Sequence, residues 1–379
     1  MFAMSLLTSF CLSLSLSLSL SLSLSCCFSF FSILLTICSH CSCSFAFIAL
    51  SASHAMSPSN RCVDDAINDV ILEKLRSFAP KPQEGGETFR SIIAKIHARV
   101  TSSDRRVRER TLEKLWCKNS GAMEIFITTL ENSKDYMLNC SIAGILHECI
   151  SPKITKGKSK GSKNKNATRN SNRMAVIQLI NSGITQVLVK LLMNLQHMDS
   201  ISSEVLVQEV LWILGQICQR DQKFVTKVKN SNYVKIFHTL LQQHYNNGKI
   251  ILPLLLIIKV FAKNSFSQQI LIKDGIANTL EKTFICIGHV PHIKLKALVE
   301  CLKYFTMSKL CCTKFVKAGM VQQLMRTFER WERFDGQLRL KISNYVLNTL
   351  QHLCVISKVP FTKANRVVSR KILREAKKG

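Results

Sequence analysis

The sequence predicts an all-α fold, an α-solenoid of stacked helical repeats, and three observations predict it. Hydrophobic residues make up 47% of the 379 residues, against only 14 Gly and 7 Pro. That is enough apolar surface for a sizeable core and too few turn-formers for a sandwich or barrel. Five segments align without gaps: NSGAMEIFITTL from Asn119, NSGITQVLVKLL from Asn181, NSNYVKIFHTLL from Asn230, KDGIANTLEKTF from Lys273 and KAGMVQQLMRTF from Lys317. Outside one Leu-Ser tract, no window sustains the alternation of a strand.

The five segments share a plan. Each opens with a small or charged residue before Gly, or Asn in the third, where a left-handed turn is expected. An apolar pattern at helical spacing follows and ends in two large hydrophobes. Successive starts lie 62, 49, 43 and 44 residues apart. The long first step holds a basic Gly/Ser/Asn/Lys insert, Lys153–Arg173. Without it the step shrinks to roughly 42, inside the range of two- or three-helix repeats. A sixth unit, KANRVVSRKIL, starts at Lys363.

Between the segments lie second apolar helices, predicted over Leu138–Ile150, Glu204–Cys218, Ile250–Ala262, Lys294–Thr306 and Leu340–Cys354. Asp199 to Glu204 offers N-cap chemistry, and Pro253 fits a first turn, where its missing N–H costs little. A helix pair cannot bury its apolar face alone, so neighbours must stack into one core. The expected architecture is therefore an armadillo-type solenoid of five to six repeats over residues 119–379, with the insert at 153–173.

Residues 56–118 read as a helical leader or cap, with helices around Ala66–Phe78 and Phe89–Val100 and a linker, APKPQEGGE, between them. Residues 1–55 are a low-complexity Leu/Ser/Cys/Phe segment; Arg61 is the first charged residue. Phe28–Leu50 is long enough to suggest a membrane anchor, but it lacks the basic flank that orients one. Cys38, His40, Cys41 and Cys43 suggest zinc, but their spacing is wrong for a finger and no second pair follows. A CT dinucleotide repeat translates as alternating Leu and Ser, so the tract reads as repetitive DNA and the functional protein is expected to begin near Met56.

Lys and Arg number 52 against 24 Asp and Glu, a net charge of +28. Such a field attracts acidic partners. The insert alone carries eight Lys or Arg and no acid, so Lys156, Lys158, Lys160, Lys163 and Lys165 are the candidate partner-binding residues. The competing reading is a solvated loop. The insert has no aromatic residue on which bases could stack, which disfavours nucleic acid. Of the sixteen cysteines, ten are scattered among Leu, Ile and Val, the pattern of buried free thiols in a reducing compartment.

GAMEIFITTLENSKD, ITQVLVKLLMN, QRDQKFVTKV, LPLLLIIKVFAKNS and KAGMVQQLMRTFERWERFDGQLRLK resemble, in order, pieces of one region. It is the N-terminal armadillo-like part of the long cytosolic carboxypeptidases, types one and four. The resemblance runs from about Gly121 to the C-terminus and includes loop residues such as Trp331, Arg333 and Asp335. It implies a cytoplasmic protein whose full-length relatives are zinc enzymes that remove glutamates from tubulin and other proteins through an HxxE…H site. Glutamylated tubulin is the partner it implies.

The zinc site itself is not found here. No histidine is followed by Glu at the third position. His147-Glu148 is not part of an HExxH, and His289 with His292 flanks Pro291 without an acidic neighbour. No catalytic residue, metal ligand or cofactor is expected in this chain. Cys311-Cys312 between helices reads as core filling, as do Trp116, Trp212 and Trp331. The expected function is a non-catalytic interaction solenoid that binds acidic proteins. One alternative is a piece of a zinc deglutamylase; another is a basic adaptor for nuclear or nucleic-acid traffic.

Overall fold

The structure, a computed structural model, describes residues 59–78, 86–117, 120–151, 174–195, 201–330 and 336–357, and all their regular secondary structure is helical. The Leu-Ser tract, the basic insert, Asp199, Trp331 and the expected sixth unit lie outside the described residues. The chain divides into two compact units, residues 1–62 and Val63–Gly379, and the solenoid belongs to the second.

Two helices lead in: α1, Ser59–Phe78, and α2, Gly86–Val100. Five units of three helices follow. The first holds α3 (Arg105–Trp116), α4 (Ala122–Asn132) and α5 (Tyr136–Ile150). In the second come α6 (Met174–Asn181), α7 (Ile184–Leu195) and α8 (Ile201–Ile217). The third has α9 (Phe224–Lys227), α10 (Ser231–His244) and α11 (Ile251–Ala262). The fourth has α12 (Ser265–Lys273), α13 (Ile276–Ile287) and α14 (Ile293–Phe305). The fifth closes with α15 (Lys309–Lys317), α16 (Met320–Arg330) and α17 (Gln337–Ser357).

The aligned segments are the second helices, and the apolar stretches between them are the third. The helix that opens each unit escaped the sequence reading. Cys311 and Cys312 therefore sit inside α15, not between helices, and both are buried. In four units the helix break is a glycine in the left-handed region, with φ of 65° at Gly121, 78° at Gly183, 93° at Gly275 and 82° at Gly319. The third unit solves the turn differently. Asn232, expected in that region, lies inside α10, and Asn230 caps the helix by accepting from the Asn232 N–H at 3.0 Å. Asp104, Asp135 and Asn264 cap α3, α5 and α12 in the same way. Pro253 sits in the first turn of α11 as expected.

The core is continuous from α1 to α17. In the third unit it is aromatic: Phe261 packs against Phe224 and Phe237, with ring centroids 5.9 Å and 5.4 Å apart. All three rings are fully buried, and burying one such side chain contributes about 1.5–3 kcal/mol. Neighbouring units stack twice over. Second helices pack on second helices, and α2, α5, α8, α11, α14 and α17 pack in series, more closely. Close approach is written into α8: a Cβ on Gly215 would lie 3.1 Å from both Cα and Cβ of Pro253 on α11. The third helices form the tighter of the two rows in the stacked array.

Candidate functional site: the row of third helices

Positions along this row form rungs that join each third helix to the next. A Cβ on Gly144 of α5 would lie 2.7 Å from His97 Nε2 of α2. His147 of α5 stacks on Trp212 of α8, with centroids 3.8 Å apart and rings inclined by 19°. Its Nδ1 is hydrogen-bonded to the Glu209 carboxylate. A carboxylate only accepts, so this nitrogen carries the proton. Gly215 meets Pro253, Lys259 reaches Glu300 at 3.6 Å, and the Lys303 ammonium lies 5.3 Å from the Tyr345 ring centroid. One turn further along, the Lys263 ammonium lies 4.8 Å from the Tyr304 centroid. Cations over aromatic faces gain roughly 0.5–1 kcal/mol at exposed sites.

The rungs change chemistry along the row. Toward the N-terminus they are imidazole, indole and carboxylate. In the last three third helices they are lysine and tyrosine. α11, α14 and α17, with Lys263 just beyond α11, carry Lys259, Lys263, Lys294, Lys296, Lys303, Arg339 and Lys341 against one carboxylate, Glu300. Lys259 offsets Glu300 directly. Burial, followed by the Glu300 and Tyr304 charges, pushes the Tyr345 phenol above its usual range, so it stays neutral and can donate a hydrogen bond.

The same contrast holds over the whole chain. Described residues from 59 to 151 hold twelve Lys or Arg and twelve Asp or Glu; those from 201 to 357 hold twenty and seven. In the first group many charges face each other across helices. Lys114 meets Asp69 at 2.8 Å, Arg110 meets Asp65 at 3.5 Å, and Arg90 meets Asp135 at 2.5 Å. In the second group seven acids cannot match twenty cations.

The sequence candidates fare unevenly. Lys156, Lys158, Lys160, Lys163 and Lys165 lie outside the described residues. His289 and His292 do not face one another as ligands. His289 Nδ1 is 2.7 Å from Thr327 Oγ1, while His292 Nδ1 accepts the Leu295 N–H at 3.1 Å and caps α14. Burial, with Arg330 and Arg326 nearby, lowers the His289 pKa. Among the described residues no group of three His, Cys, Asp or Glu could hold a metal, so these residues do not fit the zinc that the family resemblance implies. Trp116 and Trp212 are partly buried against the core.

One constellation escaped the sequence reading. His238 Nδ1 bonds Asp274, and its Nε2 lies 2.8 Å from Thr279 Oγ1. The order Asp–His–Thr looks like a nucleophile with its base. His238 is 0% and Thr279 5% exposed, so no substrate reaches the hydroxyl. The trio ties α10 to α12 and α13, a staple between adjacent units. No sequence signal could show it, because its members lie 36 and 41 residues apart.

These features define a class: a helical-repeat solenoid whose row of third helices turns from neutral to basic along the chain. The chain belongs to the family described as CCP1-like, N-terminal TPR repeats, whose model matches residues 66–367. It is similar to cytosolic carboxypeptidase 1 of Homo sapiens, 28% identical over 282 residues, which is 74% of this chain and 21% of that protein. The Mus musculus protein of the same name is also 28% identical, over 281 residues, with the same coverage of 74% and 21%. For that of Gallus gallus the figures are 27% over 253 residues, 67% of this chain and 19% of that protein. The chain thus spans about a fifth of the length of the curated relatives it matches. The family match begins at residue 66, so the leader helices belong to the same region, which the sequence resemblance reached only from Gly121. Among the described residues no single helix is long and apolar enough to cross a membrane.

Proposed function

We propose that this chain is a non-catalytic interaction arm of the cytosolic-carboxypeptidase kind, working in the cytoplasm and holding acidic polypeptide partners such as glutamylated tubulin tails. The observation that carries the reading is the charge gradient, from twelve against twelve in the first part to twenty against seven in the last. A basic face of this kind raises the local concentration of acidic segments. The three-helix unit also favours the armadillo reading over the two-helix tetratricopeptide repeat in the family's description. The relatives' name supports a second reading, in which such an arm works beside a carboxypeptidase domain.

The test is binding of a polyglutamate peptide to the full chain at low and at high salt. A second version carries Lys156, Lys158, Lys160, Lys163 and Lys165 all changed to Ser. Exposed ion pairs contribute about 0.2–1 kcal/mol each, so five together shift affinity by about one to two decades at low salt. The difference shrinks near 1 M salt, where the Debye length is about 3 Å. Equal affinity of the two versions removes the insert from the site. Absence of salt-sensitive binding by either overturns the proposal.

A further inference from the structure

Two equivalent turns, one closing the third unit and one closing the fourth, meet across a cleft. We infer that this cleft seats a large apolar side chain of an acidic polypeptide, with a carboxylate of the same segment at Lys263. The inference rests on the acidic-partner reading and adds the place on the solenoid and the apolar anchor.

The turns correspond residue for residue, FAKNSF from Phe261 and FTMSKL from Phe305. Phe261 and Phe305 are buried, whereas Phe266 is 41%, Leu310 53% and Met307 67% exposed. Large apolar side chains left in water together mark contact surfaces. The cleft measures about 360 Å³ and is lined by Ala262, Lys263, Ser265, Gln268, Tyr304, Met307 and Ser308. Ligand pockets span roughly 300–1,000 Å³, so there is room for a Leu or an aromatic ring. Gln268 fixes the shape. Its side-chain amide donates to the Ala262 carbonyl at the end of α11 and, at 3.1 Å, to the Tyr304 carbonyl near the end of α14. A cleft held open in this way costs an entering side chain little ordering of the protein. Met307 forms an adaptable wall, as methionines do at binding surfaces.

The charge of the occupant follows from the same residues. No Asp or Glu lines the cleft. The Lys263 ammonium lies 4.8 Å from the Tyr304 ring centroid and has no carboxylate partner among the described residues. Lys309 opens α15 beside Ser308, and the Lys229 ammonium lies 5.9 Å from the Phe266 centroid. Both of these lysines are exposed. An acidic segment complements these cations and a basic one is repelled. Concavity separates a polypeptide from a lipid surface: a cleft takes one inserted side chain, whereas a bilayer is met by an outward-facing apolar surface.

The experiment measures binding of two polyglutamate peptides to the full chain, equal in length and charge, one with a central Leu and one with a central Ser. The Leu peptide is expected to bind about five- to tenfold tighter. Met307→Ser is expected to cut that preference below about twofold, and Met307→Leu to keep it. Lys263→Ser is expected to weaken both peptides about two- to fivefold at low salt. Leu340→Ser, which removes an apolar side chain 51% exposed on α17, is expected to leave the preference unchanged. All these positions are exposed, and unchanged thermal melting shows that each variant is folded. Equal binding of the two peptides to the natural chain overturns the inference and leaves the acidic-partner reading standing. So does a preference that survives Met307→Ser or falls as far with Leu340→Ser. Binding of neither peptide overturns both. Vesicles of phosphatidylserine and phosphatidylcholine that displace the Leu peptide reassign the two turns to a membrane surface and overturn the inference as well.

Discussion

Replacing Phe261 with Ala tests the solenoid at the aromatic cluster of its third unit. The ring is fully buried on α11 and packs against Phe224 of α9 and Phe237 of α10, so the three helices of the third unit meet on it. Removing a buried Phe costs about 3–5 kcal/mol, because lost transfer energy adds to a cavity that helices only partly close. For a chain of this size each kcal/mol lowers Tm by about 2–4 °C, so a loss on the order of 10 °C is expected. In a stack each unit touches only its neighbours, so a weak middle unit also uncouples the two ends and broadens the transition. Phe266, five residues on, is the control. It is 41% exposed, with the Lys229 ammonium 5.9 Å from its ring centroid, and Phe266→Ala is expected to cost less than about 1 kcal/mol. Circular dichroism melts of both variants and the natural chain supply the assay. If the two substitutions cost the same, the burial that defines the third unit is wrong.

Gly215→Val on α8 should destabilise by about 1–3 kcal/mol, because its Cβ would press on Pro253 of α11. Gly is a poor helix former, so a gain in stability, seen in urea melts, would show that the two helices are not in close approach. Alkaline pH should also act through the buried thiols. Burial pushes Cys218 up to about 12 and Cys312 up to about 11 from 9.0, and raises Cys301 as well. In the unfolded chain these thiols lose their protons first. Their contribution is therefore complete below pH 9 and declines as pH climbs toward the folded values, at up to about 1.4 kcal/mol per pH unit for each thiol. The measurement is the difference in urea stability between the natural chain and Cys218→Ala at pH 8 and pH 10.5. A difference that does not change with pH would refute protected thiols.

What the sequence made legible follows from what a local pattern can encode. The second helices are visible because a turn residue precedes each, and the third because their apolar runs are long. Leu138–Ile150 and Ile250–Ala262 match α5 and α11 to within two residues at either end. The first helices are short, four to nine residues in the last three units, so their few apolar positions look like loop. Arg105–Trp116 hides for a different reason: seven of its twelve residues are charged, and its buried side is only Thr111, Leu112 and Leu115. At Asn232 the pattern was right about the helix start and wrong about the turn, because Asn230 one residue before the helix supplies a side-chain cap instead. The rungs were not legible at all. His147 and Glu209 are 62 residues apart, and only the stacking of whole units brings them together.

The charge gradient and the rungs bear on one question, whether the positive field serves folding or something outside the fold. In the leader and first unit, opposite charges are equal in number and join helices, as Lys114 does with Asp69 and Arg90 with Asp135. There the charges are part of the packing. In the last three units the core is closed by Phe261, Phe284, Phe305 and Phe315, all fully buried, while Lys259 with Glu300 and His238 with Asp274 add polar links between helices. Thirteen uncompensated positive charges among the described residues from 201 to 357 repel one another and oppose compaction. Such a field is what the proposed acidic partners would neutralise. Lys263 and Lys303, over the Tyr304 and Tyr345 rings, are two of these cations, and neither has a carboxylate partner among the described residues.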